Sequence, residues 1–350
     1  MNNNLKYEDE ECKRFNDWLD EEEPVQIAGI AFPRSRILYE MENDTYFDAY
    51  AEFQEQEFQD LKQTIFDAYP AIISYNLRLS ERGEGADDPV RKILHLKDMW
   101  EAVVNVLYAV VMGEVRFRSV DLKTCQVITG YGTGGNPNLN NFNTDRILTD
   151  SIKQKILNIK SIILHCTSHH LGFKCEEIDV TLLDDLSSLN DVRNDVSHHG
   201  TSTREQAEQE LSLVAPIIRS MLAKTRFLER CLILRFESYA SSCRCESYIG
   251  HSLNREFDSY PFTDPQKSRV ISYGQEQLFV KWDEECFSLS PFLHFDRENS
   301  GHESYLCFYK GKKNGKYWFE PVKIRTEKTF DHLQYRFESE KDDLFRLLVP

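Results

Sequence analysis

From Asp88 to Val111 apolar side chains recur at three- and four-residue intervals, with Ile93, Leu96, Met99, Trp100, Val103, Val106, Leu107, Val110 and Val111 in the series. The spacing predicts a helix, and the apolar positions spread too far round it for a surface helix, which carries one apolar stripe. Asp88 is placed to cap the first turn and Pro89 to fill the first helical position, a pairing that marks a helix start. A helix of this kind must be covered by other elements.

Three further stretches can cover it. Residues 146–170 set Ile147, Ile152, Ile156, Ile159, Ile162 and Ile163 on one stripe, and residues 178–199 repeat Leu182, Leu186, Leu189, Val192 and Val196 at helical spacing. A fourth helix is expected after Gly200, capped by Thr203 and running to about Tyr239. Four amphipathic helices with intervening loops suggest an up-and-down bundle over residues 88–240. Residues 1–87 read as a mixed region, with one strand at 25–32 (VQIAGIAF) and a helix from about Asn43 that stops before Pro70. From 246 aromatic and β-branched residues alternate with polar ones, and Asn314-Gly315 lies between two such runs. That dipeptide is the strongest short-range hairpin signal. The expected fold is α+β and multidomain: a central all-α four-helix bundle, a small mixed N-terminal region and a β-rich C-terminal domain over 246–350.

Charge narrows the function classes. The formal net charge is -16, and a field of that sign repels phosphate at long range. If the chain handles RNA, it must do so through a local basic surface. No apolar run approaches the roughly 18 to 20 residues that span a bilayer, so no membrane partner is expected. The polar, acidic start MNNNLKYEDEEC resembles neither a secretory signal nor a basic transit peptide. Nine scattered cysteines without a CxxC pair read as free thiols of a reducing cytoplasm.

Several local patterns have ordinary explanations. Gly130, Gly132 and Gly135 have GxGxxG spacing, but the fingerprint needs a helix N-terminus directly after it. An Asn-rich tract follows instead, so residues 130–143 are expected to form a flexible loop. His165, Cys166, His169, His170 and Cys175 cluster at one helix end. Without the glutamate of an HExxH helix or a second cysteine pair, they read as a polar terminus, and no metal or cofactor is expected.

The segment NDVRNDVSHH, 190–199, is different. Arg193 is followed by Asn194, and four residues separate Arg193 from His198. A histidine exchanges protons near neutral pH, and a guanidinium offers a planar fork to a phosphate. Together they can drive attack of an RNA 2′-hydroxyl on its own phosphodiester. On a regular helix positions five apart differ by about 140°, so either Arg193 reaches round with its long stem or two copies share the site, and the second points to a homodimer with a composite site.

On this segment and its helical setting, residues 88–240 resemble the HEPN superfamily, whose catalytic members carry an RNxxxH-type motif. The resemblance implies a metal-independent endoribonuclease, active as a dimer, of the kind found in bacterial toxin–antitoxin, abortive-infection and antiphage systems, where an antitoxin or other regulatory partner is expected. It carries Arg193 and His198 over as catalytic and Asn194 as supporting. His199 also satisfies the spacing but continues the Val192/Val196 stripe, so it ranks behind His198. The products would bear 2′,3′-cyclic phosphate ends.

Arg219, Lys224, Arg226, Arg230 and Arg235, with Arg244 following, would supply the local basic surface for RNA, and a solvated charged face is the alternative. Lys310, Lys312, Lys313 and Lys316, interleaved with Tyr309, Tyr317 and Trp318, could bind a single strand or simply guard a hairpin tip. The competing reading of the whole chain is a non-catalytic HEPN-like module that binds a nucleotide or a partner protein as a scaffold.

Overall fold

The structure is a computed structural model that describes residues 5–132, 134–198, 203–239, 242–251, 256–296, 305–322 and 326–348. The chain divides into two compact units, Met1–Gln63 and Thr64–Pro350. The boundaries expected near 88 and 246 both fall inside the second unit.

The first unit contains helix α1 (Glu10–Leu19), strands β1 (Val25–Ile27) and β2 (Ile30–Phe32), helix α2 (Arg34–Met41) and most of α3 (Asn43–Ala68). VQIAGIAF is a hairpin and not the single strand expected, because Ala28 and Gly29 both take positive φ, 51° and 81°. Its core is aromatic: Phe15 meets Tyr46 and Tyr50 edge-on, with centroids 5.2 and 5.3 Å away.

In the second unit, α4 (Ala71–Arg82) precedes the long α5 (Pro89–Arg118). Asp88 Oδ1 accepts the Val90 and Arg91 amides at 3.0 and 3.3 Å, the cap the sequence implies. Strands β3 (Gln126–Tyr131) and β4 (Pro137–Asn141) then form a hairpin, so the glycine-rich stretch expected as a flexible loop is a strand pair and its turn. A short α6 (Thr144–Ile147) leads into α7 (Ile152–His169), α8 (Val180–His198) and α9 (Arg204–Lys224). α5 packs against α4, α7 and α9, α7 against α8, and α8 against α9. Almost every residue of α5 from Met99 to Val115 is buried, which accounts for its apolar excess.

α9 ends at Lys224, short of the expected Tyr239, and residues 231–239 are strand β5 (Cys231–Tyr239). β5 is the central strand of a five-stranded sheet, order β7-β6-β5-β8-β9, with β6 (Cys243–Ser247), β7 (Glu256–Tyr260), β8 (Leu278–Trp282) and β9 (Glu285–Ser288). The first residues of β5, CLIL, are an apolar run that is buried or half-buried on both faces, and a short run of this kind is not separated from helix by its pattern. Helix α10 (Asp264–Tyr273) packs on this sheet. The second sheet joins β10 (Leu293–Asp296), β11 (Tyr305–Lys313), β12 (Lys316–Pro321) and β13 (Lys328–Thr329) in that order, and the sequence reading did not include the helix α11 (Gln334–Arg346) that follows. All pairings are antiparallel among the described strands. The β11–β12 turn is Asn314-Gly315, both at positive φ, as the dipeptide requires.

One close approach ties helix to sheet, and one buried ion pair ties strand to strand. A β-carbon on Gly113 of α5 would lie 2.5 Å from the Ser288 carbonyl oxygen of β9, so only glycine allows this approach. Inside the five-stranded sheet, Arg235, 4% exposed, donates to Glu246 from Nε at 2.7 Å, and Tyr248 donates to the same carboxylate at 2.8 Å.

Candidate functional site

α8 carries the arginine–histidine segment. Its leucines at 182, 186 and 189 are fully buried, as their spacing implies. Arg193, Asn194 and His198 belong to the last turns of the helix; their side chains, and His199 altogether, lie outside the described residues. One turn earlier stands Asn190, 3% exposed, with no hydrogen bond to its carboxamide among the described residues.

Asn190 lines a cavity of about 460 Å³. α4 contributes Asn76, α5 contributes Glu101 and Asn105, α7 contributes Lys155, and Lys310 and Glu320 come from β11 and β12. The lining is polar even where it is withdrawn from solvent: Asn76, Asn105, Lys155 and Asn190 are all buried. Lys155 Nζ donates to Asn105 Oδ1 at 2.6 Å, and Asn105 Nδ2 donates to the Glu101 carbonyl at 2.9 Å. Burial lowers the Lys155 ammonium to about 7, Lys310 pushes the same way, and Asp150, Glu101 and Glu320 oppose. Desolvation disfavours the charged form of a lysine, and a neutral carboxamide restores little of that loss.

A hydrogen-bonded seam fixes α7 against α5 beneath the cavity. Asn158 Nδ2 donates to Tyr108 Oη at 3.2 Å and to the Arg146 carbonyl at 2.8 Å, while Tyr108 Oη donates to the Ile147 carbonyl at 2.7 Å. The position of Lys155 is thus set by buried contacts on both helices.

The basic residues expected to hold RNA do not form one open stripe, and Arg235 is buried in the five-stranded sheet against Glu246. Lys224 Nζ is 2.8 Å from Asp185 Oδ2, tying α9 to α8. Arg230 pairs with Glu177 and, at 2.8 Å, with Asp283, and Lys174 contacts the same two carboxylates, each at 2.9 Å. Arg219 is half-buried and Arg226 exposed. The acids that meet these cations come from other elements, which is why the cluster looks uncompensated along the chain. At the β11–β12 tip, Lys312, Lys313 and Lys316 pair with Glu338, Glu327 and Asp331. Tyr309 and Tyr317 are 1% exposed, so neither is open for a base to stack on.

The histidine cluster has a local explanation. The His165 and His169 rings lie 4.3 Å apart between centroids, His169 Nδ1 is 2.8 Å from the His165 carbonyl, and His170 takes the left-handed cap conformation that ends α7. Among the described residues no group of three or more His, Cys, Asp and Glu could hold a metal ion, and no helix is long and apolar enough to cross a membrane.

Sequence reading missed Asn76, Asn105 and Lys155, and it noted Asn190 only as the first letter of the motif. A signal was present for one of them: Lys155 falls three residues after Ile152 and four before Ile159, inside an apolar stripe.

Comparisons with protein-family models, with curated proteins and with solved structures find no match for this chain.

Proposed function

We propose that the chain is a metal-independent endoribonuclease of the HEPN type. The observation that supports the reading most is the placement of the RNxxxH segment on the last turns of α8, one turn beyond a buried asparagine that opens onto a polar cavity. The packing of α5, α7, α8 and α9 around one another is compatible with a HEPN-like bundle. In this reading Arg193 binds the scissile phosphate and stabilises the charge that builds on it, with Asn194 in support. His198 moves the proton of the attacking 2′-hydroxyl or of the leaving 5′-oxygen. Two copies of α8 complete one cleft, and the reaction leaves a 2′,3′-cyclic phosphate. A role as a toxin or antiphage effector, restrained by a partner, follows from the same resemblance.

The test is cleavage of mixed cellular RNA in EDTA by the purified chain. Arg193→Ala and His198→Ala are each expected to lower the rate by about 10²–10⁴, the usual contribution of positioned acid–base groups. An inactive wild type, or variants as active as wild type, would overturn the proposal. The scaffold reading draws on one observation, the neutralisation of Lys224 and Arg230 by carboxylates, and it is the reading that an inactive wild type would favour.

A further inference from the structure

We propose that the cavity beside Asn190 is a base-recognition pocket that takes one lactam-bearing nucleobase, guanine or uracil, from a bound RNA. The proposal rests on the ribonuclease reading for its ligand but on the cavity itself for its chemistry. Four polar side chains that line it, Asn76, Asn105, Lys155 and Asn190, are each at most 9% exposed. Buried polar groups normally have hydrogen-bond partners. Here the Asn190 carboxamide has none among the described residues, and Lys155 uses one of its three donors, on Asn105.

The charges of the lining select the ligand. Glu101, Asp150 and Glu320 share the cavity with Lys155 and Lys310, and Lys310 is already held by Glu320 at 2.9 Å. A phosphate entering would meet several carboxylates, and a cation would meet the Lys155 ammonium. A neutral group with a carbonyl beside an N–H suits both signs, the carbonyl accepting from lysine and the N–H donating to a carboxylate. Guanine presents that edge at O6 and N1–H, and uracil at O4 and N3–H. Adenine and cytosine can also donate to a carboxylate, through the exocyclic amine, but the acceptor beside it is a ring nitrogen with one lone pair, which cannot take both Lys155 and Asn190 as a carbonyl oxygen with two can. Specific RNA recognition works through such edges on splayed-out bases, and a lysine is a common partner of the guanine O6/N7 acceptors. The volume, about 460 Å³, lies in the range of small-ligand pockets. Its position, one helical turn before Arg193, places the recognised base next to the phosphate to be cut.

Two measurements on the full chain test the pocket apart from the chemistry. In calorimetric titrations, guanosine or uridine is expected to bind at least about tenfold tighter than adenosine and cytidine, a difference of about 1.4 kcal/mol. Lys155→Met and Asn190→Ala, each shown to be folded by its thermal transition, are expected to erase that preference. In mapped digests of a defined RNA, wild-type cuts are expected next to G or U, and Asn190→Ala is expected to scatter them. Nucleoside binding without RNA cleavage would support the pocket and overturn the ribonuclease reading. Cleavage with equal binding of all four nucleosides, or with none, and cut sites unchanged in Asn190→Ala, would overturn the pocket and leave that reading standing.

Discussion

Lys155 and Arg235 are both cations almost wholly withdrawn from water, at 3% and 4% exposure, yet their surroundings differ in kind. Arg235 is saturated: its guanidinium meets Glu246 and Glu237, donates to the Gln275 carbonyl and lies over the Phe295 ring at 4.8 Å. Its charged form is held more firmly than usual, the partners outweighing its desolvation. Lys155 has one carboxamide, the Tyr108 ring at 5.9 Å and an open space. The first arrangement fastens strands β5 and β6 to each other; the second leaves donors over for something that is not protein. A buried charge with every valence filled belongs to the architecture, whereas one with valences left over marks a place where a ligand can be held.

Three perturbations sharpen that contrast. The largest effect is expected from Glu246→Ala, which takes the fully buried carboxylate from the Arg235 guanidinium and leaves it Glu237 and the Gln275 carbonyl. Breaking a buried pair in this way costs about 3–5 kcal/mol, measurable by urea unfolding, and a loss below about 1 kcal/mol would mean that Arg235 is no more firmly held than Lys155. Next comes a pH dependence at Lys155. Its folded value, about 7, lies below that of the unfolded chain, about 10.4. Between those values the unfolded chain binds the extra proton, so this group makes stability rise with pH, and below pH 7 its penalty is complete. Against Lys155→Met, the wild type should therefore gain ground from pH 7 to pH 10 by up to a few kcal/mol, while parallel curves would mean that the ammonium is not disfavoured by burial. The smallest effect is expected at Arg230, whose side chain is 46% exposed. Arg230→Ala should cost under about 1 kcal/mol, and the difference should shrink further in 1 M salt because exposed pairs are screened.

How much of this could be read from the chain depended on how local the signal was. The Asp88 cap, the Asn314-Gly315 turn and the buried face of Leu182, Leu186 and Leu189 each follow from a few adjacent residues, and each stands where its spacing put it. β5 reads as the end of a helix because consecutive residues of its first half, Cys231 to Arg235, are buried or half-buried on both faces of the sheet, which removes the alternation that marks a strand. The cavity was illegible for a different reason. Its side chains come from four helices and two strands, so Asn76, Asn105, Lys155 and Asn190 are far apart in sequence and each looks like a stray polar residue in an apolar stripe. The apparent basic cluster failed in the mirror-image way: Asp185, Glu177 and Asp283, which meet Lys224 and Arg230, are remote along the chain.

Gly113 has a consequence for how this protein can change over generations. The smallest step away from glycine is one methyl group, and at this position that group would lie 2.5 Å from the Ser288 carbonyl oxygen and 3.0 Å from the Phe287 ring. Both obstacles sit on β9, one of them backbone, so no side-chain rotation makes room. Substitution there would have to coincide with a shift of the strand, and a shift of that strand carries its neighbour β8 with it. The two halves of the fold are thereby bound to vary together: helix α5, which furnishes Asn105 and Glu101 to the cavity, cannot drift independently of the sheet it rests on.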